Sequence, residues 1–200
     1  MKQRPTEWRS DRLELRAQQT RTQQLIFCAQ WQLSQWKLFL SDSQRLQNPS
    51  IGVCYAQACL FFMEQACRSL MREVAATYRL SDPDAGVGRN QLQEMQSLLQ
   101  QQGKKAPELE WWLEQLEQPG SWWPGFFQVI AVLYAPAMGG SIGREMLPVS
   151  VPDESLLRIV QEPQLMNPLI DGRFDPEKQT EWLEGMKVVV KEVRRMAQEW

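Results

Sequence analysis

Apolar side chains recur at Ala56, Leu60, Met63, Cys67, Leu70, Val74 and Tyr78, in the steps of three and four residues that align along one face of an α-helix. Cys59, Phe61, Phe62 and Met71 add apolar surface on the other faces of the same stretch. A rod that is apolar on most sides has to be surrounded. Each large apolar side chain withdrawn fully from water contributes roughly 1.5–3 kcal/mol before chain entropy is set against it. The expected class is therefore all-α: a helical bundle built around a central apolar helix over about 51–78. Asn48-Pro49 breaks the chain ahead of it, and Ser50 is the expected N-cap.

The remaining pattern supplies the helices that do the surrounding. A first helix is expected from about Asp11 to Leu46, opened by Asp11 and Glu14 and carrying Leu25, Ala29, Leu33, Trp36 and Leu40 on one stripe. Residues 16–24 hold almost nothing apolar, so the length before Thr22 is expected to project or to be placed separately. A third helix spans about Arg89–Gln102 with Leu92, Met95 and Leu99 inward, and Gly103 ends it. Pro107 opens a short fourth helix and Ser121 caps a fifth, which runs to about Ala135 before Pro136. Residues 136–152 read as irregular, with a short helix expected over Asp153–Gln161 and more irregular chain from Pro163 to Gly172. Asp175-Pro176-Glu177 combines an N-cap, a proline at the first helical position and an acid at the positive end of the dipole. The helix that follows places Leu183, Met186, Val190, Val193, Ala197 and Trp200 on one stripe. One domain over residues 1–200 is expected: a bundle core at about 20–138, an irregular linker at 139–174, and a C-terminal helix at 175–199 that docks back on the bundle.

Composition narrows the function. Hydrophobic residues make up 43% and charged residues 23%, which is enough apolar mass for a real core. The net charge of −2 gives no global pull toward nucleic acid or anionic lipid. Residues 1–22 carry six Lys/Arg against three Asp/Glu; this basic arm is either a solvated helix face or a contact for an acidic partner. The start has no apolar segment behind its basic residues, and the longest apolar stretch, Phe126–Ala137, is too short to span a bilayer. Cys28, Cys54, Cys59 and Cys67 lie in apolar helical stretches without C-x-x-C spacing. A cytoplasmic protein that does not enter the membrane is expected.

The chain has no histidine. That removes Ser-His-Asp and Cys-His nucleophiles, histidine zinc sites, and the Glu-x-x-His pairs of bundle di-iron proteins. Asp82-Pro83-Asp84 lacks the later ligands of a calcium loop, and Gly139-Gly140-Ser141 lacks the lysine and the preceding strand of a phosphate loop. Only Cys67, beside Arg68, has a basic neighbour that could favour a thiolate. The expectation is a protein that is not an enzyme, with no metal and no cofactor.

Two groups remain as candidate binding residues. Glu64, Arg68 and Arg72, with Glu73, are the charged residues of the central helix; they form either an anion or partner site or a set of ion pairs within and between helices. Among nine tryptophans, Trp111, Trp122 and Trp123 come in adjacent pairs with Trp112 and each other, as packing mass or as aromatic anchors for a partner. The first functional expectation is a non-catalytic bundle that self-associates or docks another protein through aromatic surface. The second is a nucleic-acid or nucleotide-binding module using the basic arm with Arg68 and Arg72. A small-molecule pocket lined by Phe61, Phe62 and Met63 is the third.

Three passages taken together carry a resemblance: Arg21-Thr22-Gln23-Gln24-Leu25; Ala58 to Val74 with Tyr78-Arg79-Leu80; and Leu116 to Trp122. As a set they resemble a family of small bacterial helical proteins known only as a domain of unknown function. The similarity covers about residues 20–138, with a weaker echo at Met196–Trp200. Members of that family often have His where Phe62 or its neighbours stand here, so any role of that His does not carry over. The resemblance implies the helical fold and no mechanism. The chain is also comparable to the helical RNase domains that accompany nucleotidyltransferases, whose motif pairs an Arg with a nearby His. Neither Arg68 nor Arg72 has such a His, which leaves at most a binding-only relative.

Overall fold

The computed structural model describes residues 5–42, 49–80, 88–134 and 174–198. Among these described residues there are six helices and no strand: α1 (Pro5–Ser41), α2 (Pro49–Tyr78), α3 (Arg89–Gln101), α4 (Pro107–Glu117), α5 (Trp123–Tyr134) and α6 (Pro176–Gln198). The all-α class expected from the periodicity is what the chain adopts.

Helix α2 is the centre. Ala56, Cys59, Leu60, Met63, Ala66, Cys67 and Leu70 are wholly withdrawn from solvent, and α2 touches α1, α3, α5 and α6. Its longest contact is with α1, which runs antiparallel to it: Trp36 and Phe39 meet Gly52 at one end, and Thr22 meets Ser69 at the other. A methyl group added at Gly52 would stand 3.0 Å from Phe39, so the missing side chain lets the two helices close at that end. Helices α3 and α4 pack on each other, and α6 lies against α1, α2 and α4.

Helix ends follow local chemistry. Gly103 (φ +68°) closes α3 with Gly103 N–H on the Gln100 carbonyl at 2.9 Å and Lys104 N–H on that of Leu99 at 2.9 Å. The same paired arrangement ends α2, where the left-handed position is taken by Arg79 (φ +57°) rather than a glycine. Asp175 Oδ1 accepts the Glu177 N–H at 2.8 Å and opens α6 as its N-cap.

The structure corrects several boundaries. Helix α1 starts at Pro5, so Asp11 is interior and not a cap, and the helix ends at Ser41 rather than near Leu46. Helix α2 starts at Pro49, which puts Ser50 inside the first turn. The stretch from Gln18 to Thr22 does not stand apart: it continues α1 and is docked by polar contacts that apolar periodicity does not register. All of the linker expected at 139–174 but Phe174, and the short helix expected at 153–161, fall outside the described residues.

Candidate interaction surface and the polar joint beneath it

Glu64 on α2 is 2% exposed, and both Nε (2.9 Å) and Nη2 (2.6 Å) of Arg68 reach its Oε1. The guanidinium is spent on a carboxylate one turn back. Arg72 lies one further turn along, partly buried. Cys67, between these charges, donates to Met186 Sδ at 3.6 Å. Burial first, and the Glu64 charge second, push its thiol well up, outweighing the lowering by Arg68. Burial alone pushes Cys59 up to about 12. Both remain neutral thiols near pH 7, and the basic neighbour that favoured a thiolate at Cys67 is overridden.

The other charged residue of α2 makes a larger joint. Glu73 is 3% exposed and is held in a two-point grip by Arg194 of α6, Nε to Oε2 at 2.9 Å and Nη2 to Oε1 at 2.8 Å. Arg194 Nη2 also donates to the Gln19 carbonyl of α1 at 2.9 Å. From α1, the fully buried Thr22 hydroxyl donates to Glu73 and stands 2.8 Å from Ser69 Oγ, which reaches the Gln18 carbonyl at 3.3 Å. Three helices are thereby tied at one buried point. Thr22, Ser69 and Arg194 are absent from the candidates read off the sequence. The available signal was that Thr22 continues the stripe of Ile26, Ala29 and Leu33 one turn toward the N-terminus.

The tryptophan candidates are divided by burial. Trp123 is 1% exposed; Trp122 stacks on it with ring centroids 3.9 Å apart, and Phe127 stacks on it at 5.4 Å. Trp182 of α6 meets Phe126 edge-on at 5.8 Å, and Trp122 lies over Gly185, where an added methyl group would run into the indole nitrogen. These rings join α5 to α6, with Trp112 adding α4 at 6.0 Å. Trp123 is thus not open to a partner, while Trp111 and Trp122 keep part of their surface. Phe61, Phe62 and Met63 do not share a pocket: Phe61 is 45% exposed and Met63 fully buried.

A groove of about 380 Å³ runs between α1 and α6 over Ile26 and Val190. Of the cations beside it, Lys187 pairs with Glu184 (2.7 Å), Arg195 with Glu192 (2.9 Å) and Arg194 with Glu73 (2.8 Å). Most of its positive charge is locally compensated. Among the described residues no group of three or more His, Cys, Asp or Glu could hold a metal ion, and no helix is long and apolar enough to cross a membrane.

The aromatic surface lies elsewhere, on α1. Leu13, Phe27, Trp31 and Leu38 are 66, 68, 51 and 63% exposed, on the side of the helix opposite the buried Ile26, Ala29, Leu33 and Trp36. One long helix therefore presents two apolar faces and buries one of them. Comparison with curated proteins and with solved structures gives no match. A model of a family of unknown function, DUF6586, matches residues 16–200, and the chain belongs to that family.

Proposed function

We propose that this chain is a non-catalytic, protein-docking helical bundle whose contact surface is the outward face of α1. The observation that carries the reading is the exposed set Leu13, Phe27, Trp31 and Leu38 on a helix whose other face is already fully used in the core. Soluble proteins seldom leave a long row of large apolar side chains in water unless something covers them, and aromatic side chains dominate the energetics of protein contacts. The charged residues with defined partners support the non-catalytic part. Arg68, Arg194, Lys187 and Arg195 are each paired with a carboxylate, and the buried thiols are held neutral. A cytoplasmic setting belongs to the same reading, and four free cysteines favour a reducing compartment.

The test is a comparison of the wild-type chain with the double variant Phe27→Glu/Trp31→Glu, matched for helicity by circular dichroism. Both are used as bait under cross-linking in extract of the source cells. Proteins retained by the wild type, a further copy of the chain included, are expected to be lost from the variant. The same retained set on both baits refutes α1 as the contact surface.

A further inference from the structure

The outward face of α1 has a register as well as a composition. Leu13, Ala17, Thr20, Gln24, Phe27, Trp31, Ser34 and Leu38 follow one another in strictly alternating steps of four and three. All eight are exposed and none is charged. That alternation is the spacing of a coiled-coil seam, the 3.5-residue repeat that keeps one line of side chains facing another helix. The core face of α1 keeps the same alternation from a different origin: Thr22, Ile26, Ala29, Leu33 and Trp36 step by four, three, four and three, and that face is already packed on helices in place. The two polar side chains with hydroxyls in the outward seam bring no unmet donor to a contact. Thr20 Oγ1 donates to the Arg16 carbonyl at 2.9 Å and Ser34 Oγ to that of Gln30 at 2.9 Å.

We infer that this seam pairs with the same seam of a second copy, antiparallel, about a two-fold axis between Gln24 and Phe27. The inference rests on the interaction reading and names its partner. Volume selects the antiparallel register. About that axis Leu13 faces the partner's Leu38, Ala17 the partner's Ser34, Thr20 the partner's Trp31, and Gln24 the partner's Phe27. The largest ring thus meets a small side chain, and the two leucine layers close the ends. In a parallel pair each residue faces its own copy, so Trp31 opposes Trp31, while the layers made by Ala17 and Ser34 are thin in either orientation. Charge agrees. From Thr22 to Trp36 α1 has no charged residue, so the middle four turns of two identical helices meet without repulsion. Parallel pairing would set Arg16 beside the partner's Arg21. Antiparallel pairing sends it toward the partner's Lys37, whose charge Glu177 compensates at 3.4 Å. A different protein chosen by specific pairing would ordinarily be selected by charge at such a seam, and between Thr22 and Trp36 there is none to read.

The experiment combines sedimentation with thiol cross-linking on the full chain, in a background where Cys28 and Cys54 are replaced by Ser. The wild type and this background are expected to show a concentration-dependent dimer, and Phe27→Glu/Trp31→Glu to be monomeric at the same concentrations with unchanged helicity. Ala17→Cys/Ser34→Cys is expected to form a covalent dimer on mild oxidation. Ser34→Cys alone is not, because the two Ser34 positions would stand about 26 Å apart along the axis at a rise of about 1.5 Å per residue. Cross-linking by Ser34→Cys alone, or a dimer that survives Phe27→Glu/Trp31→Glu, overturns the arrangement. A wild-type chain that stays monomeric to millimolar concentration overturns the second copy as occupant. The broader reading of α1 as a docking face is then decided separately, by whether the same double variant loses the proteins retained in extract.

Discussion

The joint between Glu73 and Arg194 offers the sharpest test of how the bundle holds together. The two side chains are 4% and 19% exposed and bonded at both ends. Arg194→Met leaves a carboxylate almost fully out of water, with only the Thr22 hydroxyl to answer it. Breaking a buried pair from one side costs about 3–5 kcal/mol, and the partial exposure of Arg194 places this one near 3. Glu73→Leu leaves a guanidinium that can still reach water and keeps its bond to the Gln19 carbonyl, so about 2 kcal/mol is expected. The double variant Glu73→Leu/Arg194→Met buries no charge and should cost only about 1–2 kcal/mol, because a well-packed apolar pair commonly replaces a buried ion pair at little loss. The coupling between the two sites is then about 3–4 kcal/mol, far above the few tenths expected of independent positions. Urea unfolding at pH 7, followed by circular dichroism at 222 nm, measures all four corners, with unchanged m-values as the check on two-state behaviour. Single effects that add to the double effect within about 0.5 kcal/mol would refute the joint as a coupled unit.

Three further outcomes follow from local geometry. Gly185→Ala should destabilise by about 1–3 kcal/mol and weaken the near-ultraviolet signal of the tryptophans, because the methyl group enters the space of the Trp122 ring. Gly125→Ala meets Trp182 only at 3.6 Å and should be neutral or stabilising by up to about 1 kcal/mol in the same unfolding assay. Arg79→Gly removes a side chain from the left-handed position that ends α2 and should raise stability by about 0.5–1 kcal/mol. Alkaline pH should unfold the protein through its thiols. Cys59 ionises near 9 when unfolded and near 12 when folded, so its contribution is complete below pH 9 and is lost as pH rises toward 12. The loss is about 1.4 kcal/mol per pH unit from this one group, and Cys67 acts in the same direction. Urea midpoints between pH 8 and 11 should fall less steeply in Cys59→Ala than in the wild type.

The fold was legible where burial is apolar and repeats. The stripe from Ala56 to Val74 is buried as expected, as are Leu92, Met95 and Leu99 on α3 and Leu183, Met186, Val190 and Val193 on α6. It was not legible where docking is polar. Residues 16–24 look unattached by hydropathy, yet Thr22 is fully buried and two backbone carbonyls of this stretch accept bonds from α2 and α6. Of the candidate binding residues, Glu64 and Arg68 pair across the four-residue spacing visible on one helix. Glu73 needed Arg194, 121 positions away, and no local pattern announces such a partner.

The tryptophans show why aromatic content alone does not locate a surface. Trp122 stands just ahead of α5 and Trp123 is its first residue, so the Trp123 ring enters the core while the Trp122 ring stacks on it and lies across a neighbour. Here Gly185 makes room for the second ring as well, and the pair becomes an internal hinge of packing between α5 and α6 rather than a face for a partner. Trp31 was as visible in the sequence but sits out of step with the stripe Leu25, Ala29, Leu33 and Trp36, and a search for the core passes over what that stripe omits. Once the core face of a long helix is assigned, the informative residues are the large apolar ones left over. On α1 those are Leu13, Phe27, Trp31 and Leu38, which lie on one side of the helix opposite its core stripe.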